Sequence, residues 1–195
     1  MSTTAERPRL NVIVASTRPG RAGAAIGDWF HRAAVDHGGF DVRLVDLAEL
    51  ALPFLDEPVA AIESRIYAGV HTHAWSATTA AADAFVLVTP EYNRGYPASL
   101  KNALDFLYHE WVDKPVAIVS YGMSSGGLRA AQALMPVVTA LRMIPLSDVL
   151  PVRLRDVTDA DGTIRPTAAL ADEAKDLLTE LARVTEATAG LRAAA

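Results

Sequence analysis

Four short runs rich in apolar and β-branched residues, LNVIVAS at 10–16, DVRLVDL at 41–47, AFVLVTP at 84–90 and PVAIVSY at 115–121, are separated by stretches long enough for helices. No other feature narrows the fold as much. Three of the four are nearly continuous apolar strings, the pattern of strands covered on both faces in a parallel sheet. A fifth, weaker strand falls within MIPLSDVLPV at 143–152, and helical spacing fills about 22–37, 63–82, 98–109, 126–141 and 167–189. The last of these carries Leu170, Ala174, Leu177, Leu178, Leu181 and Val184 on one face and is expected to cover the sheet. Segment 51–62, ALPFLDEPVAAI, reads as a loop by its prolines. Alternation of strand and helix points to a doubly wound α/β domain.

At 195 residues, with 51% hydrophobic and 21% charged, the chain can bury a sizeable core and fits one domain over 1–195. It lacks the run of about 18 apolar residues that a membrane span requires, and its start, MSTTAERPRL, has no leader-type apolar stretch. A cytoplasmic protein is therefore expected. There is no cysteine, which excludes disulfides, thiolate metal sites, iron–sulfur clusters and cysteine nucleophiles, so any redox chemistry must come from a bound cofactor. A net charge of −5 argues against general nucleic-acid binding, which needs a basic surface.

Chemistry concentrates where strands run into helices. The first such loop reads Ser16-Thr17-Arg18-Pro19-Gly20-Arg21-Ala22-Gly23 and passes directly into a helix. Free N–H groups at a helix N-terminus favour an anion. Arg18 and Arg21 add two charges and Ser16 and Thr17 add hydroxyls, a set suited to a terminal phosphomonoester. The fingerprints G-x-G-x-x-G and G-x-x-x-x-G-K-[ST] are absent, which argues against dinucleotide binding of the Rossmann type and against P-loop hydrolysis. A polar turn with two solvated arginines is the bland alternative.

The second loop begins Pro90-Glu91-Tyr92-Asn93-Arg94-Gly95-Tyr96, and an aromatic with an amide at a strand's carboxyl end suits a flat heterocycle with donors and acceptors on its edge. The third, Ser120-Tyr121-Gly122-Met123-Ser124-Ser125-Gly126-Gly127, lets backbone approach a ligand closely and leads into a helix whose N-terminus would favour negative charge. It also matches G-x-S-x-G, the nucleophile elbow of serine hydrolases, at Ser124. That mechanism needs an acid and then a histidine after the serine. His31, His37, His71, His73 and His109 all precede Ser124.

Three motifs in order, STRPGR at 16–21, PEYNRGYPASLKNALD at 90–105 and SYGMSSGGLRA at 120–130, closely resemble the NADPH-dependent FMN reductase family, whose relatives include quinone, azo and chromate reductases. The resemblance spans about 10–150 and the middle motif is its most specific part. It implies a flavodoxin-like three-layer sandwich with a five-stranded parallel sheet of order 2-1-3-4-5, and FMN reduced by NADPH or NADH. FMN would pass electrons to a small-molecule acceptor in a two-step exchange, in a homodimer or homotetramer built partly through the helix after PEYN. Carried onto this chain, Ser16, Arg18, Arg21 and the following backbone of Ala22 and Gly23 would hold the FMN phosphate. Pro90, Glu91, Tyr92 and Asn93 would meet the ring, mainly through backbone N–H groups, with Ser120, Tyr121, Gly122, Met123 and Ser124 against its other edge. Many relatives carry Ser and Asn where this chain has Arg21 and Gly23, and smaller residues where it has Arg94 and Tyr96. No side chain is assigned as catalytic acid or base. A flavodoxin-like carrier or redox sensor without efficient NAD(P)H turnover is the alternative. His71 and His73, two apart on an expected helix, face different ways and make a poor metal pair. Trp75, Tyr108 and Trp111 read as core or subunit contacts.

Overall fold

The computed structural model describes residues 6–193, so the first half of the start MSTTAERPRL read above lies outside them. Five parallel strands, β1 (Arg9–Val14), β2 (Asp41–Asp46), β3 (Ala84–Pro90), β4 (Pro115–Gly122) and β5 (Ile144–Arg153), form one sheet in the order β2-β1-β3-β4-β5. Helices α1 (Ala22–His37) and α7 (Ala168–Ala187) cover one face, and α3 (Val70–Ala80), α4 (Ala98–Asp105) and α5 (Leu128–Ala140) cover the other. Short helices α2 (Leu47–Leu50) and α6 (Leu154–Val157) follow β2 and β5, and α8 (Ala189–Ala193) follows α7.

The strand pattern explains the apolar strings. On β3, Ala84, Val86 and Val88 pack under α1 and α7, while Phe85 and Leu87 pack under α3 to α5. Every residue of β3 is buried, because side chains alternate between two covered faces. β2 alternates charged and apolar residues because it is an edge strand.

Expected and observed helices differ where side chains terminate them. The helix expected over 63–82 begins only at Val70. The Glu57 carboxylate accepts from the N–H groups of Ala68 and Gly69 at 2.8 and 2.9 Å, fixing a turn there instead. The helix expected over 98–109 ends at Asp105. Two indole N–H groups satisfy its terminal carbonyls: Trp75 donates to Ala103 at 2.8 Å and Trp111 to Leu104 at 3.2 Å. Both tryptophans are fully buried, which settles them as core. Lys114 terminates α3 similarly, its Nζ donating to the carbonyls of Thr79 and Ala80. The helix expected from 126 starts at Leu128, because Gly126 and Gly127 are both left-handed.

Strand order reverses between β1 and β3. The loops leaving these two strands and β4 therefore meet over the carboxyl edge of the sheet, at the crevice where doubly wound sheets bind ligands. No helix among the described residues is long and apolar enough to cross a membrane.

Candidate functional site

The first loop leaves β1 at Ala15, whose N–H continues the sheet to Val88 at 3.0 Å. Pro19 and Gly20, with Gly20 at φ 67 and the Arg21 N–H bonded to the Arg18 carbonyl at 3.2 Å, occupy the central positions of a type II turn. That turn delivers the chain to α1 with Arg21 as N-cap. Arg21 gives no side-chain cap, so the first N–H groups of α1 stay open to a ligand. Ser16 is fully buried and its Oγ lies 2.6 Å from the Tyr92 hydroxyl, joining the first loop to the second. Arg18 is exposed.

Arg21 is placed otherwise than the sequence suggests. Its guanidinium pairs with Asp46 at the end of β2, which also caps α2 through the Ala48 N–H at 2.9 Å. Asp46 was missed in the sequence. It stands beside the first loop because β1 and β2 pair in register, Val14 against Asp46, and an aspartate before LAEL is a helix-cap signal that could have found it.

The second loop turns sharply. The Tyr92 N–H donates to Gly95 at 2.8 Å and the Gly95 N–H returns to Tyr92 at 3.0 Å, with Asn93 and Arg94 at φ 50 and 70. Two left-handed central residues define a type I′ turn. The N–H of Glu91 bonds the Tyr121 carbonyl at 3.0 Å, so the backbone donors of this loop that face no protein acceptor are those of Asn93, Arg94 and Tyr96. Tyr92 and Asn93 are exposed, whereas Pro90 is buried in the last position of β3.

The Glu91 side chain turns to the third loop rather than toward a ligand. Its carboxylate accepts from Ser125 Oγ at 3.1 Å, from the Arg129 N–H at 3.3 Å and from Arg129 Nη1 at 3.1 Å. Burial works against this charge, but the donors of Arg129 and Ser125 outweigh it and hold the carboxyl below its ordinary range. Glu91 thus occupies the N-terminus of α5, the position expected to favour charge on a ligand. Ser120 is buried and holds the third loop closed from beneath, its Oγ donating to the Gly126 carbonyl at 2.8 Å. Gly127 allows a backbone crossing, since a Cβ there would lie 2.6 Å from the Tyr121 nitrogen. Gly122 is half-buried, and Met123 and Ser124 are exposed at the rim.

No histidine bonds Ser124. His37 pairs with Thr179, His71 with Asp56, and His73 and His109 pack on Tyr67 and Tyr108. The elbow motif therefore lacks a base. Among the described residues, no three His, Asp or Glu side chains gather as a metal site would require.

Two residues of the long middle motif have roles not legible beforehand. Ser99 Oγ donates to the Ala15 carbonyl at 2.6 Å. The Asn102 amide accepts from the Leu55 N–H at 2.9 Å and donates to the Pro53 carbonyl at 2.7 Å. It thereby pins segment 53–55 beside a cavity of about 570 Å³ that Thr17, Leu47, Leu52, Phe54 and Ser99 help to line.

Residues 8–154, which contain all three loops, match the family described as NADPH-dependent FMN reductase. The chain belongs to this family. An NAD(P)H-dependent FMN reductase of Schizosaccharomyces pombe is 47% identical over 126 residues, 64% of this chain and 63% of that protein. An FMN-dependent NADPH-azoreductase of Staphylococcus saprophyticus is 32% identical over 124 residues, 63% of each chain. The matches thus span just under two thirds of these relatives' length. The solved structure of FerB, a flavoenzyme NAD(P)H:(acceptor) oxidoreductase from Paracoccus denitrificans, superposes with a TM-score of 0.72 at 19% identity, covering 93% of this chain and 98% of that one. That likeness confirms the fold of this FMN reductase family member.

Proposed function

We propose that residues 1–195 form one FMN-binding domain that accepts electrons from NADPH or NADH and passes them to a small acceptor such as a quinone or an azo compound. Family membership supports the cofactor and the donor, and the azoreductase relative supports the acceptor class. The observation that carries the reading is the convergence of three loops at the strand-order reversal, where N–H groups of α1 and of the second loop remain open.

The residues present fit FMN. Ser16, Arg18 and the opening N–H groups of α1 offer a phosphomonoester hydroxyl, guanidinium and backbone donors, with Arg21 adding charge while held by Asp46. Asn93 and Arg94 offer backbone N–H groups, and the Asn93 amide a donor and an acceptor, to the edge of a heterocycle. Gly122 and Met123 form the opposite rim. When bound, FMN supplies two-electron chemistry at its ring, and the protein's share is orientation and electrostatics. Ser120 and Glu91 act at one remove, closing the third loop and fastening it to the second.

The protein works in the cytoplasm as a homodimer or homotetramer. An apolar groove lined by Leu55, Ile62, Tyr108, Val137 and Leu141 beside α4 supports self-association. Steady-state oxidation of NADPH with a benzoquinone or an azo dye tests the enzyme reading. Turnover of many equivalents of donor is expected, whereas tightly held flavin with negligible donor oxidation would identify a carrier.

A further inference from the structure

Tyr121 is the penultimate residue of β4, with its side chain under α1, and is only 4% exposed. Its hydroxyl stands near Ser16 but forms no hydrogen bond of standard geometry, Ser16 Oγ being bonded to the Tyr92 hydroxyl at 2.6 Å. A buried hydroxyl without a good partner opposes folding, and phenylalanine would fill the same space without that cost. The hydroxyl is therefore left able to donate to a ligand.

Its surroundings say what it awaits. A Cβ on Gly23 would lie 2.3 Å from the Tyr121 oxygen and 3.6 Å from the Ser16 Cβ, so the phenol reaches the backbone of the second residue of α1, beside Ser16. This is the uncapped end of a sixteen-residue helix. Arg21 Nε is likewise buried without a partner. Burial pushes the phenol upward, Tyr92 adds to the push, and Ser16, Arg21 and Arg18 oppose it, so the group remains a proton donor at neutral pH. Hydroxyls, guanidinium groups and helix N–H groups converge here, and the carboxylate beside them, Asp46, is already engaged by Arg21. A set of donors with orphaned members in a helix N-terminus is complementary to a multiply charged oxyanion.

We propose that Tyr121 is a phosphate ligand, its hydroxyl donating from the floor of the first loop to an oxygen of a phosphomonoester seated at the N-terminus of α1. The proposal rests on the FMN reading for the identity of that ester, and it moves Tyr121 from the ring side of the site to the phosphate side. It also accounts for glycine at position 23. Any side chain there would occupy the space of the hydroxyl.

The test compares FMN with riboflavin, which lacks the phosphate, by calorimetric titration of the flavin-free protein. Tyr121→Phe is expected to weaken FMN about tenfold and to leave riboflavin unchanged. The thermal midpoint of the flavin-free variant should equal or exceed that of the wild type. Equal weakening of both flavins, or no weakening of either, would overturn the proposal, as would a lowered midpoint, which would reveal a protein partner for the hydroxyl. If the wild type binds neither flavin, the FMN reading falls, and inorganic phosphate then decides the role of Tyr121. A phosphate-dependent rise in midpoint lost in Tyr121→Phe supports it, and the same response or none in both proteins overturns it.

Discussion

At the scale of single residues, the site is defined by which polar atoms are already used. Glu91 and Arg21 look in the sequence like ligand contacts, yet each has a protein partner, Arg129 with Ser125 for one and Asp46 for the other. Tyr121, expected against the edge of the ring, instead holds a free donor under α1. Gly23 shows the same inversion. In an ordinary helix, alanine would be favoured over glycine by about 1 kcal/mol, but the Tyr121 oxygen would lie 2.3 Å from the new Cβ. Gly23→Ala is therefore expected to destabilise by about 1–3 kcal/mol, the usual cost of overpacking. In the Gly23→Ala, Tyr121→Phe double variant part of that loss should return. Urea unfolding of the four proteins in this cycle measures the coupling, and strict additivity would contradict the contact.

At the scale of elements, the carboxyl ends of strands were legible and their fastenings were not. Continuous apolar runs marked β1, β3 and β4 because both faces of a parallel sheet are covered. The starts of α3 and α5 were misplaced because Glu57 and the left-handed pair Gly126 and Gly127 decide them through contacts or dihedrals that periodicity does not report. The clasp between the second and third loops is one such fastening, and its pH dependence follows from its sign. Glu91 has a lowered folded-state pKa, so its contribution is complete above the unfolded value of about 4.3 and fades as pH falls through the folded value. Glu91→Ala should cost about 1–3 kcal/mol at pH 7, with the difference from wild type shrinking below about pH 4. Thermal midpoints of both proteins between pH 3 and 8 measure this. A difference that stays constant with pH would show that the charge is not what fastens the loops.

At the scale of the whole molecule, sheet order places three loops at one edge and leaves apolar surface at another. Phe54, in the segment that Asn102 pins, and Ile66 and Val70, before and at the start of α3, are each more than 80% exposed. Ile62, in the same stretch, lines the apolar groove beside α4. If that face joins two subunits, a lysine there is desolvated without a partner and association fails. Ile62→Lys should shift the mass measured by light scattering from a multiple of the chain toward that of one chain. The same oligomer in both proteins would place the interface elsewhere. Tyr108 and the helix after PEYN were marked in the sequence as subunit contacts, but 51–62 read only as a proline-bearing loop, because exposure of an apolar residue depends on what the fold puts beside it.

The central claim is that the three loops hold a flavin which the nicotinamide donor can reach. Absorbance of the purified protein supplied with FMN, recorded without oxygen before and after one equivalent of NADPH, tests it most directly. Bands at about 375 and about 450 nm that persist through gel filtration and bleach on addition are predicted. Absence of any bound flavin after FMN has been supplied would contradict the account.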